Sequence, residues 1–320
     1  MPDGLAAARS LGLDLEAAGG YPFRGIRFVD GESQVEACFP NGNGMGLRRT
    51  DLHSLMVDHA ARAGVRMAWG VRIGGISAEG VMAGDRLVRA RWIVGADGGH
   101  SAVRRWAGLD ACHRESRRFG FRRHYRVAPW SSFMELHWGD GCQLYITPVG
   151  AQEICVVLIT RDQQLRLDQA LPRFPEVERR LAAAGAMNLQ RGGVTASRRL
   201  KAVWRGNVAL VGDASGSMDA IIGEGLCLLF QQSVALAAAL EAGDLAGYKD
   251  EHRRIGRHPE FMSDMMLLLD QRRRLRTRAM RALAGCPALF ADMLAMHTGR
   301  FSAANMITNG LALGWRMLTL

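Results

Sequence analysis

The sequence predicts an α/β fold with an antiparallel β-sheet layer in the middle of the chain and a helical C-terminal region. An apolar run at residues 208–211 ends in Gly212-Asp213, and ten residues later Gly223-Glu224-Gly225 opens a helix. Between residues 119 and 160, short β-type segments alternate with turn residues. The segments after Gly225 have the periodicity of helices. Together these three observations define the fold class.

Alternating β segments and helical periodicity also predict the elements of the N-terminal third. The elements expected there are, in order, a helix at residues 1–17, strands at 24–29 and 34–39, a helix at 48–63, a strand at 65–69, an antiparallel meander at 71–91 and a strand at 92–95.

The rest of the chain predicts a β layer followed by helices. The elements expected there are strands at residues 121–127, 133–138, 143–147 and 154–160, a helix at 165–185 broken by Pro172 and Pro175, a return to the first layer at 198–211, and helices with boundaries near Gly243, Pro259, Pro287 and Gly299.

The segment around Gly212-Asp213 has the order strand, polar turn and glycine-hinged helix start. A buried strand brings Asp213 to the carboxyl edge of a sheet, where open α/β folds bind ligands. The helix that begins near Gly225 directs unpaired N–H groups and the positive end of its dipole towards the same crevice. A carboxylate there accepts hydrogen bonds from sugar or ribityl hydroxyls. The simpler interpretation of Gly212-Asp213 is an ordinary helix cap.

Residues 92–105 repeat this design, and one further motif accompanies them. The run from Asp97 to Arg104 reads DGGHSAVR, and Arg49-Thr50-Asp51-Leu52 begins the helix expected at 48–63. With these motifs the chain resembles the flavoprotein monooxygenases of the para-hydroxybenzoate hydroxylase type and the related geranylgeranyl reductases. In that superfamily DGxxSxxR, a later Gly-Asp followed by GxG, and an arginine at this helix line the FAD site.

The resemblance implies FAD as cofactor and NAD(P)H as electron donor. It places Asp213 on the ribityl or phosphate-proximal hydroxyls and the N–H groups of the helix start against the pyrimidine edge of the flavin. The catalytic residues stay unassigned, because the flavin itself carries the chemistry. The implied cofactor-binding residues are Arg49, Asp97, Gly98, Ser101, Arg104, Gly212, Asp213, Gly223, Gly225, Leu226 and Cys227.

One motif of the resembled superfamily is missing from the sequence. A strand with a GxGxxG turn for the pyrophosphate is absent, so we expect an incomplete doubly wound FAD-binding domain of the glutathione-reductase-like type, truncated at its N-terminus. We also expect an open position beside the strand at 92–95. The expected division is an FAD-binding domain at residues 1–117 and 198–243, a β-sheet substrate domain at 118–197 and a helical region at 244–320.

Composition narrows the class of protein. The chain has 320 residues, 48% of them hydrophobic, which is enough for a large core. Six cysteines without paired spacing predict reduced thiols, no metal site and a cytoplasmic protein. The formal charge of +10 is carried mainly by arginine, yet no nucleic-acid-binding motif accompanies it. Two interpretations of this charge stay open. The C-terminal helices contact an anionic membrane surface peripherally, or the arginines form an ordinary solvated face.

Three functions remain open at this stage. The first is an NAD(P)H-dependent monooxygenase that hydroxylates an aromatic or lipophilic small molecule. The second is a reductase of a lipophilic double bond, because Gly216 and Gly223-Glu224-Gly225 resemble the reductase branch. Ala220 stands where hydroxylases have proline and fits neither branch. The third is an inactive paralogue or fragment, which the missing GxGxxG turn suggests.

Overall fold

The computed structural model describes residues 1–298 and 303–319. Its helices are α1 (Pro2–Ser10), α2 (Arg49–Arg62), α3 (Ala102–Trp106), α4 (Leu167–Ala170), α5 (Pro175–Leu181), α6 (Gly225–Ala242), α7 (Leu245–Gln271), α8 (Arg273–Ala284), α9 (Pro287–His297) and α10 (Ala303–Thr319). Short 3₁₀ helices span Leu171–Arg173, Gly212–Ser215 and Ala220–Ile222.

The strands are short in the N-terminal third and longest in the middle of the chain. They are β1 (Tyr21–Phe23), β2 (Gly25–Asp30), β3 (Ser33–Cys38), β4 (Gly44–Gly46), β5 (Ile73–Ser77), β6 (Gly80–Ala83), β7 (Arg86–Arg89), β8 (Ile93–Gly95), β9 (Cys112–Arg126), β10 (Phe133–Trp138), β11 (Cys142–Gly150), β12 (Glu153–Thr160), β13 (Gly185–Ala186), β14 (Arg191–Leu200), β15 (Trp204–Arg205) and β16 (Val208–Leu210).

The largest sheet contains eight strands in the order β13-β9-β12-β11-β10-β2-β3, with β14 also paired to β9. Its neighbouring strands are antiparallel except β2 and β10, which are parallel. The four strands expected between residues 119 and 160 are confirmed as β9 to β12. Because β2 and β3 join this sheet through β10, they are paired with strands of the range expected as the substrate domain. The domain boundaries themselves stay a prediction.

One face of this sheet carries a continuous row of directly opposed side chains. Residues opposite each other on neighbouring strands point to the same face of the pleat. The row therefore runs from apolar side chains on β2 and β10 to guanidinium groups on β9 and β14. Its members, in order across the sheet, are Phe28, Leu136, Tyr145, Val157, Arg122 and Arg191. We call this series the sheet row.

Helices cover both faces of the large sheet. On the face of the sheet row, Leu136 and Tyr145 share a core with side chains of α7, α8 and α9, such as Met266, Met280 and Phe290. On the opposite face, strand residues such as Leu144 pack against α4 and α5. Both layers exclude water from the sheet, so its register is set by burial as well as by hydrogen bonds.

A second, smaller sheet has the order β15-β16-β8, and β16 runs parallel to β8. The Tyr248 hydroxyl on α7 donates to the Leu210 carbonyl at 2.7 Å and so ties α7 to the end of β16. No strand in the described part of the chain pairs with the other edge of β8, as expected, and Val94 there is 40% exposed. Residues 65–69, expected to be a strand beyond that open position, form none.

The strand prediction for residues 65–69 fails for a physical reason. Val65, Met67 and Trp69 alternate as in a strand, but they are exposed, and a strand needs a hydrogen-bonding neighbour that the described residues do not supply here. By contrast, the meander predicted at 71–91 is confirmed as β5-β6-β7, because consecutive hairpins pair with each other.

Two helix boundaries also differ from expectation. The first helix ends at Ser10 rather than near residue 17, because Asp14 accepts hydrogen bonds from the Glu16 and Ala17 amides and folds that segment into a turn. Pro259 lies inside α7 instead of ending it, because buried side chains on both sides of it hold α7 in place. The boundary expected near Gly299 falls outside the described residues.

The segment that follows α5 forms a long strand, β14, that the residue pattern does not predict. β14 forms the outer partner of β9 over most of its length, although Gly192, Gly193 and several arginines mask its alternation. The large sheet therefore contains one more strand, paired with β9, than the residue pattern indicates.

Among the described helices, α6 is by length and composition apolar enough to span a membrane, and α8 with α9 would qualify only as a pair bent by 107°. In this fold α6 packs against α1 and α7, and Phe230 on α6 shares a small core with Ala8 and Leu52. The apolar residues of α6 that are buried in this fold are Cys227, Leu228, Phe230, Leu236 and Ala239.

Candidate functional site

The turn after β8 is organised by Asp97. Its carboxylate accepts hydrogen bonds from the Ser101 hydroxyl, from the Ala102 amide at 2.7 Å and from the Val103 amide at 3.1 Å. Burial alone would raise the pKa of Asp97, but these hydrogen bonds outweigh it and lower the pKa. Ser101 in turn caps α3 by accepting from the Arg104 amide at 2.9 Å. The Asp97 carboxylate thus holds the start of α3.

Arg104 joins this turn to the second motif. Its side chain is 1% exposed, and its guanidinium donates to the Asp110 carboxylate at 2.8 Å, to the Gly99 carbonyl at 2.8 Å and to the Ala214 carbonyl at 3.1 Å. Ala214 directly follows Asp213. One buried guanidinium therefore fixes the two motifs relative to each other, although they lie more than a hundred residues apart in the chain.

The Gly212-Asp213 turn is held from the side of α6 and α7. Gly212 has φ +60°, which favours glycine, and its amide donates to the Gln232 side chain at 2.9 Å. The Ser215 hydroxyl donates to the Gly212 carbonyl at 2.8 Å and also lies 2.8 Å from Nε2 of His252. These contacts keep the backbone of the turn in place and leave the Asp213 side chain exposed.

Asp213 and Arg49 lie close enough to affect each other electrostatically. The protein around Asp213 partly desolvates its carboxylate and raises its pKa, although the residue keeps access to solvent, and the nearby Arg49 opposes the shift. The pKa of Arg49 is lowered by burial and by Arg122, with Asp213 acting in the opposite direction. No described residue hydrogen-bonds the Asp213 carboxylate. The structure therefore brings two of the sequence-predicted site residues together from distant segments, with an acceptor left for a ligand.

The Gly223-Glu224-Gly225 segment begins α6 beside an open space. Gly223 has φ +66°, and a Cβ placed on Gly223 or Gly225 would meet no atom within 4 Å. The next two residues, Leu226 and Cys227, line a cavity of ≈ 340 Å³, and Arg49 lines it too. Of the predicted residues, this cavity unites Arg49, Leu226 and Cys227.

An adjoining cavity of ≈ 360 Å³ shares Arg49, Arg122 and His124 with the first. It also includes Arg48, which is paired with Glu153 at 2.7 Å, and Arg191. Guanidinium groups suit the anionic oxygens of phosphates. The sequence places Arg122 only in a general basic group, and the pairing of β9 with β14 that sets it beside Arg191 is visible only in the fold.

These two cavities fit the flavin and phosphate parts of FAD. Their combination of apolar walls, helix N–H groups and arginines matches the chemistry of such a ligand, and each has the size of a small-molecule pocket. The Asp213 carboxylate does not line either cavity but lies close enough to Arg49 to affect its pKa. Asp97, Ser101 and Arg104 have their polar atoms engaged within the protein. Their role as direct cofactor contacts stays a prediction, as does that of Gly98.

A third cavity lies at the apolar end of the sheet row. It encloses ≈ 60 Å³, and Phe28, Leu136 and Tyr145 of the row form part of its wall. Ile221 and Ile222, directly before Gly223, close it on the side of α6. The sequence of no single segment predicts this pocket, because its lining residues come from distant parts of the chain. It is unusually rich in methionine, with Met134, Met262, Met265, Met266, Met280 and Met293.

The 3₁₀ helix Ala220–Ile222, directly before Gly223, is fixed by a buried polar network. Arg118 donates to the Asp219 carboxylate at 3.1 Å, and Asp219 accepts from the Ile221 amide at 3.0 Å. The Tyr145 hydroxyl donates to the Ile221 carbonyl at 2.6 Å, and burial raises the pKa of Tyr145. Strands of the large sheet thereby set the position of the segment that leads into Gly223.

Comparisons with known proteins agree with this geometry. A family model described as FAD binding domain matches residues 34–247. The chain belongs to this FAD-binding family. It is therefore an FAD-dependent oxidoreductase of the flavoprotein monooxygenase superfamily, as the motifs predict.

Two curated relatives represent the two branches considered above. The chain is 25% identical over 293 residues to an FAD-dependent urate hydroxylase of Klebsiella pneumoniae, covering 78% of this chain and 73% of that protein. It is 28% identical over 242 residues to a digeranylgeranylglycerophospholipid reductase of Methanothrix thermoacetophila, covering 67% and 61%. A flavoprotein/dehydrogenase from Cytophaga hutchinsonii has the same fold, with a TM-score of 0.83, 15% identity and coverage of 100% and 89%.

Removing the Arg104 guanidinium should loosen both FAD-binding motifs at once. We expect Arg104→Ala to lower the free energy of unfolding by about 3 kcal/mol, because it leaves buried acceptors on Gly99 and Ala214 without donors. Arg105→Ala is the control, since Arg105 is exposed and bonds only the His100 carbonyl among the described residues. Urea unfolding measures both variants. Equal midpoints for the two variants would show that Arg104 does not hold the motifs together.

The burial of His252 should make stability depend on pH. Burial lowers the pKa of His252 from 6.5 to about 4. Between these values the unfolded chain binds a proton that the folded chain does not, so stability is complete above pH 6.5 and falls as the pH drops towards 4. The expected loss is roughly 3 kcal/mol. His252→Gln should flatten the profile, and the exposed His100→Gln should not. A wild-type profile in the His252→Gln protein would contradict the assignment.

Proposed function

We propose that this protein is an NAD(P)H-dependent monooxygenase that hydroxylates an aromatic or lipophilic small molecule. The observation that carries the proposal is that one sheet face joins the methionine-lined cavity to the cavity at the start of α6. When bound, FAD supplies electron transfer from NAD(P)H and the activation of oxygen. The residues of this chain contribute binding, orientation and the exclusion of water.

Each part of the site has a defined task in this proposal. The N–H groups at Gly225, Leu226 and Cys227 favour negative charge on the ligand edge that faces them, because they are the unpaired donors of a helix start. Asp213 accepts from ligand hydroxyls. The arginines on β9 and β14 bind anionic oxygens. The methionine-lined cavity holds an apolar substrate in a dry environment, which protects reactive species from water.

The second candidate is reduction of a lipophilic double bond. The same apolar cavity would accept a prenyl-like chain, and one curated relative is named as a digeranylgeranylglycerophospholipid reductase. The two candidates differ in their need for oxygen.

The role of Asp213 in cofactor binding is tested by titration. We expect Asp213→Ala to weaken FAD binding at least tenfold, because a carboxylate that accepts hydrogen bonds from ligand hydroxyls is lost. Asp250→Ala, an exposed carboxylate on α7, serves as the matched control. Bound FAD is measured by ultrafiltration and absorbance. Equal affinities for the two variants would remove Asp213 from the cofactor site.

Oxygen dependence separates the two reactions. With FAD and NADPH supplied, a panel of lipophilic aromatic compounds should stimulate NADPH oxidation and oxygen uptake together, and mass spectrometry should find one added oxygen atom in the product. Saturation of a prenyl acceptor under anaerobic conditions would instead establish the reductase function and reject the first proposal.

A further inference from the structure

The C-terminal helices carry a concentrated run of positive charge. Residues 272–291 contain six arginines and no aspartate or glutamate. One of the six, Arg276, is buried and forms an ion pair with Asp30, with 3.2 Å between its Nε and Oδ1 of the carboxylate. The other five, which are exposed, are Arg272, Arg273, Arg274, Arg278 and Arg281. The excess charge of this region therefore lies on the surface of the fold.

Three of these arginines lie on one face of α8. Arg274, Arg278 and Arg281 follow one another at spacings of four and three residues, so their side chains are neighbours along the helix. The buried side chains of α8, such as Met280 and Leu283, occupy the opposite face. No ion pair within the described part of the chain involves the three arginines. Like charges at this spacing repel each other, so an anionic partner would stabilise this face.

Helix α10 adds an exposed apolar pair next to α8. It packs against α8 and α9, and its Ala312 and Leu313 contact the core beneath these helices. Leu311 and Trp315, four residues apart, are each 71% exposed. Side chains at this spacing share a face of the helix. The packing of α10 therefore leaves a leucine and a tryptophan in solvent, where transfer to an apolar medium would stabilise them.

The two features together indicate the class of partner. A nucleic acid would pair with the arginines through its phosphates but would give Leu311 no apolar medium. An apolar protein surface would cover Leu311 and Trp315 but would leave the arginines without anions. The surface of an anionic lipid bilayer supplies both, because its phosphates lie next to its acyl chains. Tryptophan suits that depth, since its ring is apolar and its N–H is polar.

We propose that the outer face of α8 and α10 binds the surface of an anionic lipid bilayer. In this arrangement Arg274, Arg278 and Arg281 pair with headgroup phosphates. Leu311 and Trp315 lie at the boundary between the headgroups and the acyl chains. The contact is peripheral, because α8 keeps its packing against the large sheet while its exposed face meets the lipid.

The position of this face also bears on the supply of substrate. Met280 of α8 and Met293 of α9 belong to the wall of the methionine-lined cavity, and α10 packs against both helices. A bilayer bound to the outer face of α8 and α10 would hold a dissolved lipophilic substrate next to the helices that enclose this cavity. This consequence rests on the proposed function, because it treats the cavity as the substrate site.

Sedimentation with lipid vesicles tests the contact without FAD and without turnover. We expect the native protein to bind vesicles made of equal parts phosphatidylglycerol and phosphatidylcholine at least about tenfold more tightly than vesicles of phosphatidylcholine alone. High salt should release it. The combined change of Arg274→Gln, Arg278→Gln and Arg281→Gln should weaken binding to the anionic vesicles about a hundredfold, since each arginine at such a surface contributes a factor of about five.

A matched control removes the same charge elsewhere. Arg62, Arg66 and Arg72 are exposed and lie outside the C-terminal helices, and their combined change to glutamine should leave vesicle binding as in the native protein. Equal losses in the two triple variants would show that only net charge matters and would overturn the proposed face. If the α8 variant fails to fold, the native protein still decides, because equal binding to anionic and neutral vesicles, or binding to neither, also overturns the proposal.

Brominated acyl chains test the apolar half of the contact, because bromine quenches tryptophan fluorescence only at short range. We expect brominated anionic vesicles to quench the native protein, and Trp315→Phe to remove this quenching. Trp69→Phe is the matched control, since Trp69 is 67% exposed but lies outside the C-terminal helices, and it should keep the quenching. Quenching that survives Trp315→Phe would overturn the placement of α10. Displacement of unquenched protein by duplex DNA would assign the arginines to a nucleic acid instead.

These measurements separate the membrane contact from the proposed function. Vesicle binding and quenching by a protein that does not hydroxylate any tested compound would keep the membrane contact and reject the monooxygenase proposal. Oxygen-dependent hydroxylation by a protein that does not bind anionic vesicles would keep the monooxygenase proposal and reject the membrane contact.

Discussion

The register of the large sheet is the constraint on which the site depends. Because directly opposed residues share a face, the pairing of β2, β10, β11, β12, β9 and β14 sets apolar side chains at one end of the sheet row and arginines at the other. A slip of one residue on any strand would turn its members to the opposite face, among the side chains that α4 and α5 cover. Backbone pairing therefore places the methionine-lined cavity at one end of the sheet row and the cavity at the start of α6 nearer the other end.

Buried polar groups then fix the loops relative to this face. Arg104 ties the Asp97 turn to the Asp213 turn, and Arg118 with Tyr145 ties the segment before Gly223 to the sheet. Such groups are costly to bury and are satisfied only in one arrangement of the surrounding backbone. They give the segments around the cavities a defined position, although these segments are irregular and come from distant parts of the chain.

The contact of Glu224 with His297 joins the start of α6 to the end of α9. Nε2 of His297 lies 2.9 Å from Oε1 of Glu224, and both side chains are buried. Among the described residues, several buried polar atoms have no hydrogen-bond partner, including Nε of Arg118, Oδ2 of Asp219 and Nδ1 of His297. The buried polar groups are therefore not all satisfied within the chain.

The sequence by itself determined the local features. Short-range physics is enough to place Asp213 after an apolar strand, Gly225 at the start of a helix and Ser101 at a helix cap, because caps, turns and periodicity depend on neighbouring residues. The resemblance carried by these motifs added the cofactor, and the family match confirms it.

Only the tertiary structure decided which distant groups meet. Residues 65–69 have the residue pattern of a strand, but no described strand pairs with them. β14 pairs with β9 although its residues do not alternate as in a typical strand. The Asp97 carboxylate accepts hydrogen bonds from the start of α3. The contact of His297 with Glu224 has no trace in either local sequence. Strand pairing and buried ion pairs join segments far apart in the chain, so their energies depend on the whole fold and not on local residue patterns.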